Sequence, residues 1–435
     1  MTDQLVGEPF AGRRTRILDH LDRRTPGHSL PGALYTDPDV FASEVDLLWR
    51  RRWLFVGTVA EVPEPGDYFS FDVAGSSVLV IRDDDEQVRA FHNVCRHRGS
   101  RLVALGHGSV GNLVCGYHSW TYATDGSLRY APQLSPAIDT ACLGLRPVAL
   151  REVGGLLYCS LAAEPDGDLN VVAEQVRDYI TPHRLDRAKV AAQVDLVEEG
   201  NWKLVMENNR ECSHCEGGHP ELICTFFPTW GLREDQIPDR LRADHDRYLF
   251  AEADLARRCD ALGMPYALIE ELADRPFGFR IQREPLDGAG ESFSIDGSRL
   301  VGRLLGDLDD PQLGRCTLHT QPNAWIHLLA DHVVTFSVTP LSPDRTLVRS
   351  TWLVHEDAVE GVDYDVAALT AVWRATNEQD AEFVRNTQLG VSDPAYVPGP
   401  YNEAERQVDD FVRWYDAQIR SEAQIGEPQR GGADD

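Results

Sequence analysis

No apolar run in this 435-residue chain approaches the ~20 residues that a membrane span requires. Basic side chains are few: 42 Lys and Arg face 70 Asp and Glu, a formal net charge of −28. That balance excludes a nucleic-acid binder, which needs a basic surface to neutralise phosphate. It also excludes docking on an anionic bilayer. An acidic field instead suits solubility and the attraction of cationic small molecules. Arg13, Arg14 and Arg16 are followed by no apolar segment, so no export signal is read and a cytoplasmic location is expected. Internal repeats and low-complexity tracts are missing. So is any G-x-G-x-x-G fingerprint, which places reductase chemistry on another chain. Nine Cys is an odd count in a chain without a signal. Disulfides are not expected, and clustered Cys are read first as metal ligands.

What is present is a globular composition, 42% hydrophobic and 26% charged, long enough for two domains. Residues 39–52 read as an amphipathic helix through Phe41, Val45, Leu48 and Trp49. From Gly66 to Leu161 short alternating runs (YFSFDV, SSVLVIR, VRAFHNV, LLYCSL) are parted by turn signals at Asp83-Asp84-Asp85 and Asp125-Gly126, as in an all-β module. Beyond Pro165 helical patterns mix with strands. Asn201 can cap a helix at Trp202. VVTFSVTPLS and TLVRSTWLVHE read as strands paired about Ser342-Pro343-Asp344, and 366–388 as a long helix. The expected division is an all-β domain at 50–164 and an α+β domain at 165–422, with 1–49 packed on the latter and 423–435 a disordered tail.

Two constellations carry chemistry. The first is Cys95-x-His97 and Cys115-x2-His118, with 17 residues between the pairs. Zinc would take such a set as a Cys2His2 tetrahedron. A Rieske [2Fe–2S] cluster would place both Cys on one iron and both His on the other. The order favours the cluster, because each loop supplies one Cys and one His and two similar loops can grip it from both sides. A zinc finger keeps its Cys together and its His on a following helix. Strands flank both pairs, and Trp120 and Tyr122 can shield the site.

The second lies in NWKLVMENNRECSHCEGGHPEL (201–222). If helical, Glu211 and His214 share a face, with Glu207 about two turns before His214. His214 and His219 are five apart and need a break to meet at one ion. Gly217, Gly218 and Pro220 permit it. Two imidazoles and a carboxylate form the triad of non-haem Fe(II) oxygenases. Locally the carboxylate stays open among Glu207, Glu211 and Asp380, the last 161 residues beyond His219. Cys212 and Cys215 read as helix packing.

At these motifs the chain resembles the α subunit of Rieske non-haem iron oxygenases, in the branch holding glycine betaine monooxygenase and stachydrine demethylase. The likeness rests on NVCRHRGS (93–100), CGYHSWTY (115–122), the 201–222 segment, NEQD (377–380) and SDPAYVPGPY (392–401). It implies a β Rieske domain beside a helix-grip catalytic domain, an antiparallel sheet holding a long helix. It further implies that Cys95, His97, Cys115 and His118 bind [2Fe–2S], and that His214, His219 and Asp380 bind Fe2+. Glu211 would then be a bridge, linking the Rieske His of one subunit to the mononuclear His of its neighbour in a homotrimer. O2 would be co-substrate, and electrons from NAD(P)H would arrive through a separate ferredoxin or flavin reductase. The implied reaction is hydroxylation of an N-methyl group, releasing formaldehyde and a demethylated amine. Gly116 and Ser119 replace the branch's Pro and Gln, Ser213 replaces its Tyr, and Glu216-Gly217-Gly218 replaces a more helical stretch; the last two bear on the pocket.

The expected substrate is a cationic or zwitterionic amine. A quaternary nitrogen offers no hydrogen bond, so it needs aromatic faces within about 6 Å. Phe226, Phe227 and Trp230 follow the His219 segment, and Trp325 stands on a strand-like run; each also suits an ordinary core. Two rivals stand beside this reading: the same machinery acting on an aromatic acid or secondary metabolite, and a non-catalytic iron–sulfur electron carrier.

Overall fold

The computed structural model describes residues 10–425 apart from Pro136. Its first half is built from three small antiparallel sheets, because turn formers interrupt the chain every few residues. Asp83 Oδ1 accepts the N–H groups of Asp85 and Gln87 and closes the hairpin between Ser76–Arg82 and Val88–His92. Those strands belong to a four-stranded sheet in the order Val88–His92, Ser76–Arg82, Asp67–Val73, Gly106–Ser109. The second expected turn, at Asp125-Gly126, joins Thr121–Tyr122 to Leu128–Tyr130. Glycine is required there: φ is +84°, and a Cβ would lie 2.5 Å from the Phe91 ring. A third sheet pairs Leu54–Thr58 and Ala149–Val153 with Leu156–Ser160. The strand Gly106–Ser109 carries no alternating pattern to announce it (GHGS); pairing to Asp67–Val73 alone makes it a strand.

The second half is organised by a seven-stranded antiparallel sheet, in the order Ala188–Glu198, Arg345–His355, Val333–Ser342, Ala324–Leu328, Arg315–Thr320, Phe279–Glu284, Ile269–Glu271. Ser342 pairs with Arg345, so the hairpin turns where the Ser-Pro-Asp signal stands. The outer face packs Leu318, Ile326 and Phe279 into an apolar core. Val334, Phe336 and Trp352 on the inner face meet the helix Val366–Val391. Asp365 starts that helix by accepting from Ala368 N, and its buried positions Leu369, Val372, Trp373, Thr376 and Asn377 recur at helical spacing. Asn377 Nδ2 ties helix to sheet through Ser350 Oγ at 2.9 Å.

The N-terminal segment packs on the helix Trp202–Asn208. Glu44, at the end of the helix Pro38–Glu44, forms a buried pair with Lys203 (2.5 Å) and accepts from Trp202 Nε1 and Tyr415 OH. The helix Arg406–Ile425 reaches three residues into the segment read as a tail; the rest of that segment lies outside the described residues. Among the described residues no helix is long and apolar enough to cross a membrane.

Candidate metal centres

Two loops with one backbone geometry carry the first constellation. Cys95 N–H donates to Ser100 O, and Gly99 N–H returns to Cys95 O. Cys115 N–H donates to Trp120 O, and Ser119 N–H returns to Cys115 O. The residue four past each Cys turns left-handed, Gly99 at φ +79° and Ser119 at +57°. Both sulfurs are therefore held alike, with their loops closed around them. They are buried, and Cys95 Sγ lies 3.4 Å from the Tyr122 hydroxyl. Burial opposes ionisation of Cys115, but the N–H groups of Tyr117 and His118 aimed at its sulfur lower its pKa. The rings of His97 and His118 lie 4.7 Å apart, and Trp120 stacks on His97 at 4.9 Å and 4°. His118 Nδ1 is buried and has no hydrogen-bond partner among the described residues. An orphaned ring nitrogen beside two closely held thiols is what ligation of a cluster would satisfy, so these four side chains fit a [2Fe–2S] group.

At the second constellation the chain is not one helix. Trp202–Asn208 ends, a turn follows, and two single helical turns, Cys215–Gly218 and Pro220–Ile223, meet at His219 with φ −127° and ψ 69°. That break lets both imidazoles face one carboxylate. Asp380 Oδ1, from the long helix, lies 3.4 Å from His214 Nε2 and 3.1 Å from His219 Nε2. Ligands each about 2.1 Å from one ion at 90–110° stand about 3.0–3.4 Å apart, so the carboxylate oxygen stands from each imidazole nitrogen at the spacing of shared ligation. The outer nitrogens are already taken: Glu211 Oε1 lies 2.6 Å from His214 Nδ1, and Gln379 Oε1 2.8 Å from His219 Nδ1. Asn208 Nδ2 donates to Asp380 Oδ1 at 2.6 Å. Burial works against it, but Asp380 and Glu211 raise His214 to about 9. The site thus holds negative charge that a cation would neutralise, and these residues fit Fe2+.

The three carboxylates left open by local spacing separate in space. Glu207 accepts from Tyr35 OH at 2.9 Å, and burial pushes it up to about 8. Glu211 serves the outer side of His214, and only Asp380 sits between the two Nε2 atoms. Sequence reasoning missed Gln379, Asn208 and Tyr35. Gln379 adjoins Asp380 in NEQD, but neighbours on a helix point about 100° apart, so periodicity gave no reason to pair it with the same histidine.

The cysteine reading requires correction. Cys212 and Cys215 are not helix packing; they are paired as a disulfide with Cα atoms 5.0 Å apart. The turn between the two helical segments brings them within bonding reach, which a continuous helix would not have used for this purpose. Cys215 Sγ also lies within 4.8 Å of the histidine nitrogens, but a disulfide sulfur offers no thiolate.

The four aromatic candidates do not gather into one cage. Arg315 places its guanidinium 4.2 Å above Phe226 and 4.7 Å from the Trp230 ring, and Trp230 Nε1 donates to Glu284. Phe227 faces Arg247 at 5.4 Å and lines a recess of about 560 Å³ that includes neither His214, His219 nor Asp380. Trp325 stands apart on the inner face of the sheet, stacked on Phe336 at 4.9 Å. Phe336 and His327 in turn contact Trp373 on the Asp380 helix at 5.1 and 4.6 Å.

Comparison with known proteins gives both halves a family. Residues 52–149 match the Rieske [2Fe-2S] domain, and residues 185–421 match the ring hydroxylating alpha subunit (catalytic domain). The chain is similar to the glycine betaine monooxygenase oxygenase subunit of Chromohalobacter salexigens, 41% identical over 418 residues, covering 94% of this chain and 90% of that one. It is 40% identical to the subunit of the same name from Pseudomonas aeruginosa, covering 94% and 93%. Among solved structures, a quaternary ammonium Rieske monooxygenase in complex with L-carnitine superposes with a TM-score of 0.67 at 19% identity, covering 92% of this chain and 98% of that one. Naphthalene 1,2-dioxygenase from Rhodococcus gives 0.62 at 19%, covering 93% and 98%. At that identity the structural likeness concerns the fold.

Proposed function

Because the chain belongs to the ring-hydroxylating Rieske oxygenase alpha subunits, we propose that it is the oxygenase component of a monooxygenase that N-demethylates a quaternary ammonium compound of the betaine class. Membership makes it an oxidoreductase with a Rieske [2Fe–2S] cluster and non-haem iron as cofactors. The observation that carries the site assignment is the convergence of His214 Nε2 and His219 Nε2 on Asp380 Oδ1, with both outer ring nitrogens occupied. The substrate class is supported by the names of the relatives that match nearly the whole chain.

When bound, the cluster supplies single electrons and the iron activates O2 for insertion into a C–H bond. The chain's own groups do the rest. Residues 50–164 hold the electron-receiving ligands Cys95, His97, Cys115 and His118, and residues 165–422 the triad. Glu211 and Gln379 fix the tautomer and aim of the two imidazoles. Asn208 holds the Asp380 carboxylate in place. In this reading Glu211, whose Oε1 lies 2.6 Å from His214 Nδ1, is the bridge to the Rieske histidine of a second copy in a homotrimer. A separate reductase delivers the electrons of NAD(P)H. The hydroxylated N-methyl group collapses to formaldehyde and the demethylated amine.

The test is a single turnover of reduced protein with quaternary amines and aromatic acids, scoring formaldehyde and hydroxylated product. Formaldehyde from a trimethylammonium compound is expected; hydroxylation of an aromatic acid with no formaldehyde would reassign the substrate. In parallel, Glu211→Gln should keep about three irons per chain yet lose most turnover, while Asp380→Ala should keep the two of the cluster and lose the third. The opposite behaviour would make Glu211 the ligand.

A further inference from the structure

Arg210 is a buried cation without an anion. It is 2% exposed and lies in the turn between Asn208, which holds Asp380, and Glu211, which holds His214. Its Nη1 donates to Asn209 Oδ1 at 3.0 Å, while Nε and Nη2 have no partner among the described residues. Those two nitrogens form one edge of the guanidinium, the edge that takes a carboxylate through two parallel hydrogen bonds. Neighbouring arginines are served otherwise: Arg280 by Glu270, and Arg315 by Glu284. An unpaired charge at such depth is costly, and a folded chain does not keep one without a partner to come.

The surroundings say what the partner is. Arg210 acts on His319, which burial and the charges of Arg210 and Arg280 hold well below its usual pKa. The turn therefore lies against the inner face of the sheet, where Arg280 pairs with His319 and His319 with Trp325. On that face His319 and His327 keep 8% and 7% of their surface, against 1% and 0% for Leu318 and Ile326 on the outer face of the same strands. Trp325 on that face and Trp373 on the long helix have buried Nε1 atoms that, like His319 Nδ1 and His327 Nε2, lack partners among the described residues. Burial, with Arg280 nearby, brings Arg210 down to about 9.

We propose that the free Nε–Nη2 edge of Arg210 binds the carboxylate of the substrate, making the enzyme specific for zwitterionic quaternary amines over simple cations. This rests on the substrate class proposed above and names the group that selects within it. A trimethylammonium alcohol or ester would bring positive charge towards the unpaired guanidinium of Arg210 and no anion to neutralise it. A zwitterion brings an anion for Arg210 while adding no net charge to the region.

The test is calorimetric binding to the iron-loaded enzyme, with trimethylglycine and its methyl ester as probes. Wild type should bind the ester at least about tenfold more weakly than the acid, since only the carboxylate is lost. Arg210→Gln should weaken trimethylglycine by about thirtyfold or more, leave the ester nearly unchanged, and retain full iron content; Arg210→Lys should fall between. Equal binding of acid and ester by wild type would overturn the anchor while keeping the trimethylammonium class. So would Arg210→Gln binding the acid as wild type does. Wild type binding neither probe, but a neutral aromatic acid, would instead overturn the substrate class itself. Should Arg210→Gln fail to fold, the wild-type comparison and Arg210→Lys still decide.

Discussion

Gln379→Leu should release the mononuclear iron and spare the cluster. The Gln379 amide is oriented from behind, since its Nε2 donates to Glu221 Oε2 at 2.9 Å. Its oxygen must then face His219 Nδ1, 2.8 Å away, which fixes the ring proton on Nδ1 and leaves Nε2 free towards Asp380. His219 is buried, so the leucine variant leaves a ring N–H with no acceptor, a cost of about 1–3 kcal/mol. Part of that falls on iron affinity, because the ring can satisfy Nδ1–H only by turning away from the site. A loss of about 1.4–2.7 kcal/mol is a ten- to hundredfold weaker hold on the ion. The assay is an anaerobic chelator titration, following total iron and the visible absorption of the cluster together. The leucine variant should fall from about three irons per chain to about two at a chelator concentration that wild type withstands. Gln379→Glu keeps an acceptor but sets a carboxylate oxygen against Glu221 Oε2, so the control pairs it with Glu221→Gln, and that double variant should stay near wild type. Iron held as tightly by the leucine variant as by wild type would refute the reasoning; loss of cluster absorption at the same point would point to general unfolding instead.

Other outcomes follow from buried charge. Glu44→Ala strands Lys203 and removes acceptors from Trp202 and Tyr415, so denaturation should come earlier by about 3–5 kcal/mol; the double change Glu44→Leu with Lys203→Met should recover most of it in the same denaturant titration. His183 donates from Nδ1 to Ile180 O, and burial together with Arg283 lowers it to about 3. The unfolded chain binds that proton from about pH 6.5 downward and the folded chain only near 3, so stability is present above 6.5 and lost as pH falls. Relative to pH 8 the loss should be about 2 kcal/mol at pH 5, and His183→Gln should flatten that part of the stability–pH curve.

Sequence alone determined what chemistry depends on residue type and short spacing. Cys95-x-His97 and Cys115-x2-His118 stand in loops whose closure is local, each set by hydrogen bonds within six residues, so the motif carried its own geometry. The break at His219 was legible because Gly217, Gly218 and Pro220 write it locally. The Ser-Pro-Asp hairpin and the Asn201 cap were likewise decided by neighbours in the chain. Tertiary structure decided whatever needed distant partners. The geometry that favours Asp380 over Glu207 and Glu211 comes from a helix 161 residues away and from Tyr35 drawing Glu207 aside. The disulfide arises from a turn where helical periodicity was read. The crowding of Phe226, Phe227 and Trp230 suggested one cage, yet Arg315 and Arg247, remote in sequence, cover those rings. Arg210 appeared as one more charged residue in a motif, and only burial without an anion gives it a role. A side chain's type and immediate neighbours are written in order along the chain; its solvent exposure and its partner across the fold are not, and those set its charge, its proton and its use.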